Sequence, residues 1–245
     1  MYNAKIAPYM KKYRKFCNGK MIRGNLICLT GKLIQNQDSQ KIIKFAAQME
    51  MLHSATLLHD DVLDDETDRR GKSSFNTSIG NKQSILIGDC LLAEVSYNVA
   101  LLENIQVFKN MANILKEFSI GETESLDYEK QVLSKTAYFF AYALDCVFLL
   151  ANINDVETQD LFFEFGINYG QYYQYLDDIL DWEQDKLRDD MNLVTFHNGN
   201  MSKAKLIMNN KFEECLNILS MIENSDAITD YIIKIHSEIT LRQLP

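Results

Sequence analysis

Apolar residues recur at every third or fourth position along almost the whole chain, the spacing that lines one face of a helix. This period predicts helices near 4–15, 20–36, 39–66, 82–102, 105–121, 133–151, 156–182, 202–222 and 226–240. Asp38 or Ser39 suits the cap of the third and Ser202 that of the eighth, because a short polar side chain accepts from an unpaired amide of the first turn. No stretch alternates apolar and polar residues for long enough to predict a sheet. Two prolines and ten glycines in 245 residues leave few helix breakers. With no linker-like segment, the pattern predicts one all-α domain over 1–245.

The longest apolar stretch, "TAYFFAYALDCVFLLA", is interrupted by Asp145 and is shorter than the roughly 18 residues a membrane span requires. It reads as a buried central helix or a dimer-interface helix. Hydrophobic residues make up 47% of the chain, enough for a sizeable core. Cys17, Cys28, Cys90, Cys146 and Cys215 are scattered without a paired or metal-ligand spacing, which predicts reduced structural thiols in a cytosol-like compartment. The net charge of −9 argues against a nucleic-acid partner. Basic residues dominate the chain before Asp38, which reads either as an organelle-targeting bias or as a phosphate-facing surface.

The acids are gathered. "LLHDDVLDDETDRRG" (57–71) crowds Asp60, Asp61, Asp64, Asp65, Glu66 and Asp68 together and then turns to Arg69 and Arg70. A lone run of this kind is usually a solvated face. A second copy changes that reading: "QYYQYLDDILDWEQD" repeats Asp-Asp-x-x-Asp at Asp177, Asp178 and Asp181. On a helix, residues four apart share a face, so each motif sets carboxylates side by side where they repel. Hard divalent cations relieve the repulsion, and magnesium is commonly shared between one or two carboxylates and a substrate phosphate. An EF-hand loop is excluded, since its glycine and terminal glutamate are missing.

Fixed cations for a diphosphate are also present. Arg69 and Arg70 follow the first motif, and guanidinium forks match phosphate oxygens. Lys20 and Arg23 in "NGKMIRG" are three apart, on one helix face. Lys135 and Thr136 in "SKTAYFF" open a predicted helix, where the dipole favours anions. His53 precedes Asp60 by two turns, about 10 Å along the same face. Singly each has an ordinary explanation: a solvated cation, a packed histidine, or, for Gln174, a core amide with its bonds satisfied. Together with two acidic motifs they point to a magnesium–diphosphate site.

With these motifs in this order, the sequence resembles the trans-isoprenyl diphosphate synthases, especially the longer-chain polyprenyl diphosphate synthases. The likeness runs through "GKMIR", "EMLHSATLLHDDVLDD", "GNKQSILIGDCLLA", "KTAYFF" and "YQYLDDILDW". The resemblance implies a helical bundle around a central apolar cavity, a homodimer, and Mg²⁺-dependent head-to-tail condensation of isopentenyl diphosphate with an allylic diphosphate. It assigns Asp60, Asp61, Asp64, Asp177, Asp178 and Asp181 to the metal ions. It assigns Arg69, Lys135 and Gln174 to the allylic side, and Lys20, Arg23, His53 and Arg70 to isopentenyl diphosphate. Ala55 and Thr56, small residues a turn before Asp60, are expected to leave a product tunnel open and the product long.

The sequence departs from the family pattern at Gly24, where a proline is usual, and at Leu193, where a lysine is usual; both ends are shorter than is typical. The alternatives are a non-catalytic subunit of a heteromeric prenyl synthase, which would be expected to lose one motif, and a terpene cyclase, whose second metal motif differs from DDxxD. The expected location is the cytoplasm or an organelle matrix, with no membrane span.

Overall fold

The computed structural model describes residues 19–34, 39–69, 72–123, 127–188 and 191–240. The chain groups into two compact units, Met1–Cys28 with Gln40–Ile105 and Leu29–Ser39 with Gln106–Pro245. The all-α expectation holds. The exception among the described residues is one antiparallel pair of two-residue strands.

In the first unit, α1 (Ile22–Leu33) contributes its first half and α2 (Ser39–Leu63) carries the first acidic motif at its end. The strands β1 (Asp68–Arg69) and β2 (Lys72–Ser73) then turn the chain, with Asp68 opposite Ser73 and Arg69 opposite Lys72. They lead into α3 (Phe75–Ile79) and α4 (Asn81–Ala100). Ala55 and Leu58 of α2 pack with Phe75 of α3 and with Ile87 and Leu91 of α4. Gly88 is what lets α4 approach: a Cβ there would lie 2.3 Å from Nε2 of His59. That imidazole sits 3.4 Å from the Asp89 carboxylate and 3.2 Å from the Ile85 carbonyl, so His59 ties α2 to α4.

The second unit takes the end of α1 and then, from Gln106, α5 (Ile105–Thr123). A continuous helical stretch follows: α6 (Tyr128–Val132), a π-helical turn (Leu133–Ala137) and α7 (Tyr138–Ala151). The long α8 (Val156–Arg188) carries the second motif, followed by α9 (Leu193–Phe196), α10 (Met201–Ser220) and α11 (Asp226–Thr240). α7 and α8 meet along a seam of small residues. A Cβ on Gly166 would lie 2.6 Å from Cα of Ala141, and one on Gly170 would lie 2.5 Å from Cα of Ala137. Phe140, Phe148, Phe162, Phe165, Tyr169 and Tyr172 fill the interior. Asp145, half-buried at its margin, accepts from Nδ2 of Asn110 and Nε2 of Gln159, each at 2.5 Å.

By length and composition Tyr128–Ala151 is long and apolar enough to cross a membrane, but 67% of its most apolar window is buried within the protein. Such burial suits a core helix. Cys28, Cys90, Cys146 and Cys215 are free thiols, and burial pushes those of Cys146 and Cys215 up.

Several boundaries differ from the pattern-based ones. α2 ends at Leu63 because Asp65 takes a left-handed φ of 48°. α8 runs on to Arg188. Asn200, not Ser202, caps α10, its side chain accepting from the Lys203 amide at 3.0 Å. The expected helix near 4–15 and the Asp38 or Ser39 cap lie outside the residues whose structure or side chains are described.

Candidate active site

The first motif occupies a helix C-terminus. Asp60 and Asp61 lie in the last turn of α2, and Asp64 and Asp65 in the turn beyond it. The Asp61 carbonyl accepts from the Glu66 amide at 2.9 Å and from Nδ2 of Asn76 at 2.8 Å. Asn76 is oriented by the Ser74 hydroxyl, which also donates to the Glu66 carbonyl at 2.6 Å. The motif is therefore pinned through its backbone. Its carboxylates grade outward, with Asp61 buried, Asp60 half-buried and Asp64 exposed. All of them sit where the helix dipole is negative, so carboxylates there are doubly unfavourable until a cation is present.

The second motif lies within α8, clear of either end. Asp177 and Asp181 are one turn apart, the first half-buried and the second exposed. Asp178, rotated by about 100° from Asp177, is 6% exposed and engaged on both oxygens. Oδ1 accepts from Nε2 of Gln174 at 2.8 Å, and Oδ2 accepts from the Leu193 amide at 2.8 Å and from the Tyr128 hydroxyl. Burial raises the Asp178 carboxyl above its ordinary range, and these three donors act against the rise. Burial first, then Asp178, pushes the Tyr128 phenol up. Gln174 is held in turn by the Thr136 hydroxyl, which donates to Oε1 at 2.8 Å.

Lys135 and Thr136 are placed differently from the sequence expectation. Asp127 starts a helix earlier, its side chain accepting from the Lys130 amide. The pair therefore sits on the π turn inside a continuous helix, away from any N-terminal dipole. Such turns recur at functional sites, and this one brings Thr136 to Gln174. Nζ of Lys135 lies 2.7 Å from the Glu122 carboxylate, so the cation is held by an acid that sequence reasoning missed.

Of the remaining expected residues, Lys20 is exposed ahead of α1, Arg23 is half-buried in its first turn, and His53 is half-buried on α2. The Gly24 amide donates to Oε1 of Glu50 at 2.7 Å, tying α1 to α2. A proline at that position has no N–H to give, which accounts for the departure. Arg69 lies on β1, and Arg70 lies outside the described residues. Ala55 is fully buried in the cluster with Phe75, Ile87 and Leu91. The Thr56 hydroxyl turns back to the His53 carbonyl at 2.9 Å.

Among the described residues, no group of three or more His, Cys, Asp or Glu side chains is gathered so as to hold a metal ion. Magnesium does not require one, since one or two carboxylates with water and phosphate complete its shell. The pairs Asp60–Asp64 and Asp177–Asp181 are hard-oxygen donors of that kind, and the residues fit the ion.

Comparison with known proteins agrees with the chemistry. The family model described as polyprenyl synthetase matches residues 6–202. The prenyl transferase of Cyanidium caldarium is 32% identical over 195 residues, 73% of this chain and 59% of its own. The octaprenyl diphosphate synthase of Escherichia coli (strain K12) is 29% identical over 214 residues, 77% of this chain and 66% of its own. The chain thus spans under two thirds of the length of these relatives. A crystal structure of polyprenyl synthase from Caulobacter crescentus CB15, complexed with calcium and isoprenyl diphosphate, shares the fold. Its TM-score is 0.72 at 21% identity, covering 93% of this chain and 84% of that one.

Proposed function

The chain belongs to the polyprenyl synthetase family, and from that premise we propose that it is a prenyltransferase. It would condense isopentenyl diphosphate head-to-tail onto an allylic diphosphate, giving an all-trans polyprenyl diphosphate of the longer kind. The observation that carries this reading is the recurrence of a carboxylate pair four residues apart, at the end of α2 and again within α8. The longer-chain relatives support the product class.

Asp60, Asp61 and Asp64 at the C-terminal end of α2, and Asp177 and Asp181 on α8, would hold magnesium. That the Caulobacter crescentus protein was crystallised with calcium and isoprenyl diphosphate supports a divalent ion. Bound magnesium would neutralise charge on the departing diphosphate. Lys135 and Arg69 would hold the allylic diphosphate by charge-assisted hydrogen bonds, with Thr136 and Gln174 fixing the polar wall beside it. Lys20, Arg23, His53 and Arg70 would orient isopentenyl diphosphate, so that binding replaces a chance encounter of two substrates. No protein nucleophile is needed: the alkene attacks the allylic carbon as its bond to diphosphate breaks, and the proton then lost to restore a double bond would pass to the released diphosphate.

We take the working form to be a homodimer. Leu86, Tyr97, Leu101 and Ile105 are exposed apolar residues of the first unit, and a second copy would cover them. The buried Tyr128–Ala151 helix supports an aqueous setting, cytoplasm or organelle matrix, from which a lipophilic product partitions.

The test is incubation of the purified chain alone with magnesium, an allylic diphosphate and radiolabelled isopentenyl diphosphate. A ladder of dephosphorylated alcohols longer than farnesol is expected. Absence of any labelled product would favour the non-catalytic subunit of a heteromeric synthase.

A further inference from the structure

Tyr128 was not among the residues the motifs singled out, yet it reaches the second motif directly. Its hydroxyl donates to Oδ2 of Asp178. Its ring packs on Phe196 of α9, with centroids 5.2 Å apart, and stacks with Tyr175 of α8 at 6.2 Å. Asp178 also takes the Leu193 amide, the first of α9, and Nε2 of Gln174. Gln174 takes the Thr136 hydroxyl of the π turn. One buried carboxylate thus joins α6, the π turn, α8 and α9.

A carboxylate offers about four lone-pair sites, and three donors already occupy Asp178 in a setting with 6% exposure. At most one site is left for a metal, and displacing the Tyr128 hydroxyl or the Leu193 amide to make room would leave a buried donor unsatisfied. Asp177 is half-buried and Asp181 exposed, both nearer to solvent than Asp178. The motif therefore divides by direction into an outward pair and one inward member.

We propose that Tyr128 is a positioning residue for the second acidic motif: acting through Asp178, it fixes the rotation of α8 about its axis and so aims Asp177 and Asp181 at the metal. The proposal rests on the reading of that pair as a magnesium site. Groups that orient a metal-ligating residue set its affinity without touching the ion, and their loss typically costs about tenfold to a hundredfold.

The experiment uses the full chain and the probe pair of magnesium with inorganic pyrophosphate, followed by calorimetric titration, alongside thermal unfolding in chelator. Tyr128→Phe keeps both ring contacts and removes one donor. It should unfold within a few degrees of the parent and bind the probe about tenfold more weakly. Asp178→Asn can keep the relay if Gln174 turns its amide over, its oxygen then accepting from the new amide and its nitrogen facing the Thr136 hydroxyl. It should bind with a loss no larger than that of Tyr128→Phe, and the double variant should lose no more than the worse single one. Asp177→Asn should abolish binding. If Asp178→Asn abolished binding as completely as Asp177→Asn, Asp178 would be a ligand and the positioning role would fall. Unchanged affinity in Tyr128→Phe would also overturn it. If instead Asp177→Asn bound like the parent, the metal reading itself would be wrong.

Discussion

The two acidic motifs have the same letters and opposite settings. The first sits at the C-terminal end of α2, fixed through the Asp61 carbonyl by Asn76 and Glu66. The second sits within α8, fixed through the Asp178 side chain by Tyr128, Gln174 and Leu193. One site is held by its backbone at a place where the helix dipole opposes negative charge. The other is held by a buried side chain where the dipole has little reach. A repeated motif can therefore be built by two unrelated devices, and each responds differently when an acid is neutralised.

The largest expected effect tests that difference. Asp60→Asn and Asp177→Asn should each lower turnover by orders of magnitude, because each removes a charged donor needed where charge develops. In chelator the two should part company. Asp60→Asn relieves both like-charge repulsion and the unfavourable dipole, so it should stabilise the protein by about 0.3–1 kcal/mol. Asp177→Asn relieves repulsion alone and should change stability less. Radiolabel turnover with parallel urea unfolding reads both quantities; equal stabilisation would erase the distinction between the settings.

Next in size is a pair of glycine substitutions, one in each unit. Gly170→Ala in α8 sets its methyl 2.5 Å from a backbone carbon, Cα of Ala137. Backbone in a packed seam yields only if the helices separate, so a loss of about 1–3 kcal/mol is expected. The shift would also move the adjacent Lys135–Thr136 turn, lowering turnover with it. Gly88→Ala in α4 meets the His59 ring, a side chain that can rotate away. It should cost less and leave turnover closer to the parent. Urea unfolding of both variants with turnover at saturating substrate would decide it, and a costlier Gly88→Ala would reverse the ranking of the two seams.

Much of this was legible in the sequence, and the parts that were not share a cause. Helical period, the two motifs and most helices are local signals that any window of the chain contains. The start of α6 was missed because a π turn resets the phase at Leu133–Ala137; a pattern that assumes 3.6 residues per turn places the boundary at the phase break. Asp127 as cap was the available sign. Tyr128 and Glu122 were missed because their roles depend on partners 50 and 13 positions away, Asp178 and Lys135. Gly24 was read as a departure from a family pattern, whereas its amide bond to Glu50 gives it a positive reason. Ala55 and Thr56 were read from their place on the face before Asp60. Periodicity shows the face but not that Phe75 of a short helix closes over Ala55.

The smallest effect expected is on the pH dependence of stability, and it belongs to α11. His236 of α11 stacks on Phe212 of α10, with centroids 4.4 Å apart, and its Nδ1 lies 2.8 Å from the Tyr172 hydroxyl of α8. Burial lowers the imidazole below its usual value, with Glu213 acting weakly in the opposite sense. A group whose folded pKa is depressed binds more protons in the unfolded chain, so it favours folding above its unfolded value near 6.5 and loses that contribution as pH falls. Between pH 7 and pH 5 the parent should therefore lose stability in part through His236. His236→Phe keeps a ring against Phe212 and cannot be protonated. It should start slightly less stable at pH 7, since the buried Tyr172 hydroxyl loses its partner. Its thermal midpoint should then fall less steeply with acid than that of the parent. Because no acidic motif is altered, turnover at pH 7 should change little, in contrast to both aspartate variants. Parallel slopes of midpoint against pH for the two proteins would show that His236 is not protonated on unfolding over this range.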